Sequence, residues 1–242
     1  MNERVKILGL PLDPVNMDAA VAWVSRRITA QSPYQIVTLN PEIVVRSRTD
    51  ASLAQAIKAA ELVTPDGVGI LWAARRLCGL SLNERVTGID LVEELFTRLG
   101  KQLRVYFLGG KPGVAERAAI NSRERFGIVV TGFHDGYFTD PAAVVAAVRK
   151  SNANLLLAGL GEKQEVFLYE HKKELAVPVM IGVGGSLDVL AGTVKRMPTW
   201  SQQLHIEWLL RIASNPRRWH RSWRLLIFAL IILTKKQNAC GD

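Results

Sequence analysis

Residues 105–118 read VYFLGGKPGVAERA, an apolar run, then Gly109-Gly110, then a segment of helical periodicity. A strand that hands over to a helix through glycines lets the backbone approach a diphosphate at the helix N-terminus. Two other segments repeat the arrangement. VMIGVGGSLDVLAG (179–192) places Gly184-Gly185 after a strand and Asp188 in a short helix, and LLLAGLGEKQEVF (155–167) places Gly159 and Gly161 before Lys163, Gln164 and Glu165 at a helix start. None matches GxGxxG or a P-loop, so each is a weak signal alone, but three such turns at one edge point to a nucleotide.

Outward from these turns the same alternation runs from residue 4 to about residue 192. Strands are expected at Val5–Leu8, Gln35–Thr38, Glu61–Thr64, Arg104–Leu108, Ile128–Gly132, Leu155–Ala158 and Val179–Val183. Helices are expected at Asp18–Ala30, Pro41–Ala60, Gly67–Leu77, Gly88–Gly100, Gly113–Phe126, Pro141–Ser151 and Gln164–Leu175. Strands separated by helices predict an α/β fold with a mainly parallel sheet covered on both faces, and chemistry outside the carboxyl ends of the strands.

The composition is that of a folded protein: 242 residues, 48% hydrophobic and 22% charged, which excludes a disordered or collagen-like chain. The balance of 31 basic to 22 acidic residues gives +9, which predicts attraction to a polyanion, nucleotide or anionic membrane. Cys78 and Cys240 are the only cysteines and show no CxxC or Cys/His spacing, so neither a disulfide framework nor a zinc site is expected, and a reducing compartment fits. MNERVKILGLPLD at the start alternates apolar and polar residues and reads as a strand and not as a signal peptide, which predicts a cytoplasmic protein.

Past residue 195 the character changes. Four of the six tryptophans, Trp200, Trp208, Trp219 and Trp223, fall in an arginine-rich stretch without strand signal, so a core over 1–195 and a helical appendage over 196–242 are expected. LLIFALIIL (225–233) is the longest apolar run; as a helix it covers about 14 Å against roughly 30 Å of hydrocarbon, too short to span a bilayer. Tryptophan with arginine favours a membrane–water interface. The alternative is a basic helix packed on its own domain or on another subunit, which leaves a homo-oligomer open.

Polar residues collect where strands hand over to helices. Thr38 and Asn40 end one strand in VTLNPEIV, where Asn before Pro is also a favourable N-cap. Asp66 ends another in LVTPDGVGI and could accept a proton from a substrate hydroxyl. Arg85 lies in a loop before a helix, where a surface ion pair with Glu84 or Glu94 is the ordinary reading. His134, His171, His205 and His220 form no ligand spacing and no Asp-x-Asp pair occurs, so no metal is expected.

The segments VTLNPE, TPDGVGI, ERVTGIDL, VYFLGGKPGVAE, DGYF, GLGEKQE, GVGGSLDVLAGTVKRMP and EWLLRIASNPRRWHR, in this order over residues 35 to 221, resemble the WecG/TagA/CpsF family of bacterial glycosyltransferases. The resemblance implies a Rossmann-like core with a C-terminal membrane-docking appendage. It implies transfer of N-acetylmannosamine or a related sugar from UDP to a polyprenyl-diphosphate-linked sugar, in the assembly of wall teichoic acid, enterobacterial common antigen or exopolysaccharide. The family's pocket positions correspond to Thr38, Asn40, Asp66, Arg85 and Gln164, and its tail arginines to Arg211, Arg218 and Arg221. Family members commonly read G-x-G-x-P-K-Q-E where this chain has Gly161-Glu162-Lys163-Gln164-Glu165, one residue shorter and without the proline; Leu187 stands where Phe is usual.

The expected enzyme is thus an inverting, metal-independent transferase without a cofactor, peripheral on the inner face of the cell membrane. Asp66 would act as general base, with Thr38, Asn40 and Arg85 positioning substrates. Gly109, Gly110, Tyr137, Gly159, Gly161, Gln164, Glu165, Gly184, Gly185 and Asp188 would hold the nucleotide sugar. Arg211, Arg218 and Arg221 would stabilise departing UDP, since fixed positive charge must replace a metal there. A nucleotide- or RNA-binding regulator without transferase activity is the rival reading. The apolar run after the tail's basic residues suits lipid and not a phosphate backbone, no RNA-binding signature is present, and no nucleic-acid partner is expected.

Overall fold

The computed structural model describes residues 3–196, 219–235 and 240, with residues 219–222 described in backbone only. Val5–Ile7 (β1) and Leu10–Leu12 (β2) form an antiparallel hairpin apart from the main sheet. Its two-residue turn, Leu8-Gly9, has positive φ at both positions (51° and 76°), the backbone that matches strand twist in tight hairpins. Asp13, just past the hairpin, is 2% exposed; its carboxylate takes Arg4 (2.7 Å) and the Val63 N–H (2.7 Å), while its own N–H donates to the Val63 carbonyl (2.9 Å). The hairpin thereby covers one edge of the sheet.

That sheet is six-stranded and wholly parallel: Tyr34–Leu39 (β3), Leu62–Pro65 (β4), Arg104–Gly109 (β5), Val129–His134 (β6), Leu155–Gly159 (β7) and Val179–Gly182 (β8), in the order β4-β3-β8-β7-β5-β6. Every strand of it was legible as a short, mostly apolar run to within two residues. The first expected strand is the exception, since β1 belongs to the hairpin.

Helices cover both faces. Met17–Ser25 (α1), Gly88–Leu99 (α5), Val114–Phe126 (α6) and Ser186–Leu190 (α10) pack on one, where Val21, Trp23, Leu91, Phe96 and Leu187 meet Ile36, Val105, Phe107 and Leu155. On the other, Pro41–Ser47 (α2), Ala51–Lys58 (α3) and Val68–Cys78 (α4) cover Val37, Leu39 and Val63, and Pro141–Lys150 (α7), Gln164–Glu170 (α8) and Lys172–Leu175 (α9) lie over the β5, β7 and β8 side. Within one strand, Ile36 and Val37 fall in opposite cores, as the period-2 pleat requires. The long helix expected over 41–60 divides at Asp50, whose side chain accepts from Leu53 N–H (2.9 Å) and starts a new helix. The one expected over 164–175 divides likewise at His171.

Trp219–Thr234 (α11) packs on α2 and α4 and buries Phe228 and Ile232 in the second core. Gly69 lets α4 lie close to the start of α2, since a Cβ there would stand 2.7 Å from Pro41 Cγ; Phe228 Cε1 would be in ordinary contact at 3.5 Å. Arg76 donates to the carbonyls of Ile232 (3.0 Å) and Leu233 (3.1 Å), groups that the helix end leaves unpaired. Beyond α11, Cys240 is joined to Cys78 at the end of α4 by a disulfide with a Cα–Cα separation of 4.7 Å. This corrects the expectation of two separate thiols. The helix brings residues 162 positions apart back together, a proximity that cysteine spacing in the sequence does not carry, and the cysteines no longer argue for a reducing compartment.

Candidate active site

Because all six strands of the main sheet are parallel, their carboxyl ends open on one edge, and the turns singled out in the sequence all lie there. The chain leaves β5 toward β6 and leaves β7 in the opposite direction toward β8, although β5 and β7 are neighbours. Such a reversal opens a crevice between the two departing loops. Gly109 and Gly159 occupy it: Gly109 has φ +127°, a Cβ on it would stand 2.4 Å from the Gly159 carbonyl oxygen, and Gly110 N–H donates to that oxygen (3.0 Å). Only glycine permits this crossing. Gly136 N–H donates to the Gly110 carbonyl (2.9 Å), and Tyr137 beside it is exposed, its N–H held by Asp135 Oδ1 (2.8 Å).

A second group forms at the ends of β3 and β4. Thr38 is buried and its hydroxyl lies under the first turn of α5, with Gly88 close to both Thr38 and Ser186. Asn40 N-caps α2, its Oδ1 accepting from Ile43 N–H (3.1 Å). Asp66 N–H donates to the Leu39 carbonyl (2.8 Å), which fixes Asp66 beside the Asn40 end of β3. Val86 N–H donates to the Pro65 carbonyl (2.7 Å), and Thr64 hydroxyl to the Val86 carbonyl (3.0 Å). These two bonds bring Arg85 next to Asp66 across nineteen positions of sequence. Arg85 also lines a cleft of about 790 Å³ in which Arg98 pairs with Asp18 and Glu94, and Arg196 with Asp90 and Glu93.

Between the two groups stands Gln164. Its Oε1 accepts from Gly184 N–H (2.9 Å) in the turn after β8, and its Nε2 donates to Glu165 Oε1 (2.7 Å), so both ends of the amide are assigned. Gly182 leaves room for the pair, since a Cβ there would meet Gln164 Nε2 at 2.9 Å. Glu165 is 2% exposed and lies beneath Gln164; its Oε2 makes no hydrogen bond. Burial holds its carboxyl above the ordinary carboxylate range, against the opposing pull of the Gln164 hydrogen bond and of Arg46. Gln35, which sequence reasoning missed, supports this layer by donating to the Glu165 carbonyl (2.9 Å). A lone amide directly before Ile36-Val37 in the buried strand Tyr34–Leu39 would be its signal, but the sequence shows it only as one polar residue of two, with Thr38. Gly185 and Asp188 belong to the turn and first helix turn after β8, near Gly184.

The residues from the three glycine turns and from the two polar strand ends therefore share one edge, with Gln164 bridging the turns after β7 and β8. Arg211 and Arg218 lie outside the described residues, and Arg221 is described only as backbone of α11. Among the described residues no group of three His, Cys, Asp or Glu could hold a metal ion.

The family model described as glycosyl transferase WecG/TagA/CpsF matches residues 5–240. The chain belongs to the WecG/TagA/CpsF family of glycosyltransferases. It is 29% identical over 236 residues to an N-acetylglucosaminyldiphosphoundecaprenol N-acetyl-beta-D-mannosaminyltransferase of Bacillus subtilis (strain 168), an alignment covering 96% of this chain and 92% of that one. It is 34% identical over 189 residues to the enzyme of the same name from Bacillus spizizenii (strain ATCC 23059 / NRRL B-14472 / W23), covering 77% and 73%. As a WecG/TagA/CpsF member it is a glycosyl-transferring enzyme, and the sheet edge just described is where its polar residues converge.

Proposed function

We propose that this glycosyltransferase moves N-acetylmannosamine or a closely related sugar from a UDP-sugar to a polyprenyl-diphosphate-linked N-acetylglucosamine acceptor, with inversion and without a metal ion. The observation that carries the reading is the convergence of Thr38, Asn40, Asp66 and Arg85 beside the bridge that Gln164 makes to the glycine turn after β8. In this reading the uridine diphosphate lies in the crevice lined by Gly109, Gly110, Gly159, Gly161, Gly184 and Gly185, where backbone can approach it. Tyr137 and Asp188 flank it. Gln164 faces the sugar, and Glu165, from below, keeps the Gln164 amide in one orientation.

The acceptor hydroxyl enters from the Asp66 side. As its oxygen bonds to the anomeric carbon, its proton passes to the Asp66 carboxylate and the carbon–oxygen bond to UDP breaks on the opposite face. Thr38, Asn40 and Arg85 hold the reactants in line. Arg211, Arg218 and Arg221 supply the positive charge that the leaving diphosphate needs, a role that the sequence, lacking Asp-x-Asp, gives to no bound cation.

The acceptor's lipid fits α11. Trp223, Leu226, Leu230 and Leu233 recur at helical spacing on one face and are 55–66% exposed, opposite the buried Phe228 and Ile232. Among the described residues no helix is long and apolar enough to cross a membrane. We read the exposed stripe as a surface that lies on the inner leaflet, bringing the pocket to a lipid-linked acceptor. UDP release from a panel of UDP-sugars, with an N-acetylglucosamine acceptor on a short polyprenyl diphosphate, tests the reading. UDP–N-acetylmannosamine should give the fastest turnover, unchanged by EDTA. Turnover that EDTA abolishes and Mg²⁺ restores overturns the metal-independent step, and no transfer from any UDP-sugar overturns the donor.

A further inference from the structure

The turn that delivers Gln164 to the site is held from two directions by charge. It comprises Gly161–Lys163, one turn of 3-10 helix between β7 and α8. Arg46 of α2 donates through Nη2 to the Glu162 carbonyl (2.6 Å), with its Nε 3.8 Å from Glu162 Oε2. Arg224 of α11 donates through Nη1 both to Glu162 Oε1 (2.7 Å) and to Glu42 Oε1 on α2 (2.9 Å). Arg46 and Arg224 are 13% and 25% exposed while their shared partner Glu162 is 48% exposed, so these pairs lie at the surface with their guanidiniums held against the protein.

The path from the terminal helix to the pocket is short. Arg224 sits beside Trp223, the first residue of the exposed apolar stripe of α11, and its guanidinium grips Glu162 two residues before Gln164. Gln164 in turn holds the Gly184 N–H of the next glycine turn. A displacement of α11 therefore pulls on the segment that fixes both glycine turns.

We propose that Arg224 and Glu162 form a clasp through which α11 positions the Gly161–Lys163 turn, and with it Gln164, for binding the nucleotide-sugar donor. Both are positioning residues, acting through Gln164 and not on the reacting atoms. The proposal rests on the functional reading above for its consequence in catalysis, though the mechanical coupling stands apart from it.

The test uses the full chain with Arg224→Gln, Glu162→Gln, the double variant and Arg224→Lys, assayed with a water-soluble acceptor so that membrane docking is irrelevant. Donor KM should rise about three- to tenfold in each Gln variant with kcat little changed, and the double variant should be no worse than either single one. Arg224→Lys should stay within about twofold of wild type, because both observed bonds leave one nitrogen and a single ammonium can serve both carboxylates. Backbone amides of residues 161–165 should exchange hydrogen faster in Arg224→Gln, although that substitution lies on another helix. Additive effects of the two substitutions, or a loss of kcat at unchanged KM, overturn the positioning role. Unchanged exchange at 161–165 overturns the clasp itself. Should the wild-type chain transfer no sugar, the functional reading falls, and the exchange measurement alone decides the coupling.

Discussion

Glu165 shows how little of a site's chemistry a side chain's identity reveals. Beside Gln164 at a helix start it reads as a ligand-binding carboxylate, yet its side chain is in the core, with one oxygen on Gln164 and the other unpaired. An unpaired charged oxygen there carries the full desolvation cost, which a proton relieves. The native state thus binds that proton more tightly than the unfolded chain does. Its stabilising contribution is complete below the unfolded carboxylate pKa and is lost as pH rises through the raised native value. Glu165→Gln keeps the shape and the acceptor for Gln164 while removing the titration. Its urea midpoint should gain on wild type steadily from pH 5 to pH 8. Parallel midpoints over that range would show that Glu165 does not hold a proton in the native state. Asn40 teaches the complementary lesson: the Asn-Pro pair was legible as a helix cap and is one, at a place where the cap also borders the pocket.

Among elements, strands and helices of the sheet were readable because short, mostly apolar runs bounded by turns alternate with segments of 3.6-residue periodicity. The features that escaped were set by single contacts. The hairpin turn Leu8-Gly9 lacks the usual Asn-Gly or Asp-Gly signal, and the break between α2 and α3 rests on one aspartate cap. Helix α11 was legible as an apolar run too short to span a bilayer; which of its residues face the core was not, because LLIFALIIL is apolar all round and gives no polar face to read. Packing settles it, with Phe228 and Ile232 inward and Trp223, Leu226, Leu230 and Leu233 outward. Replacing Trp223, Leu226 and Leu230 together by Ser should abolish flotation with anionic vesicles at low salt while leaving the thermal midpoint within a few degrees. Retained flotation would assign membrane contact to another surface, and a collapsed midpoint would mean that the stripe is packed and not exposed.

At the scale of the molecule, topology decides where the glycine turns and polar strand ends gather. Alternating strands and helices force a parallel sheet, a parallel sheet gathers its outgoing loops on one edge, and reversal of the connections between β5 and β7 opens the crevice. The parallel sheet and its single edge could be argued from the sequence; the strand order that puts the reversal between β5 and β7 could not. Nor could the Val86–Pro65 bond that carries Arg85 to the Asp66 corner, the Gln164–Gly184 bridge and the Cys78–Cys240 link, because each joins segments whose proximity exists only in the folded chain. The central claim is that this edge performs general-base glycosyl transfer with Asp66 taking the acceptor proton. The most direct test compares wild type with Asp66→Asn, which preserves size and hydrogen-bonding capacity but cannot take up that proton. Turnover with a UDP-sugar and a polyprenyl-diphosphate acceptor should fall about 10²–10⁴-fold while the affinity for UDP, measured by calorimetry, stays within a few-fold. A folded Asp66→Asn enzyme that turns over at near wild-type rate would contradict the claim.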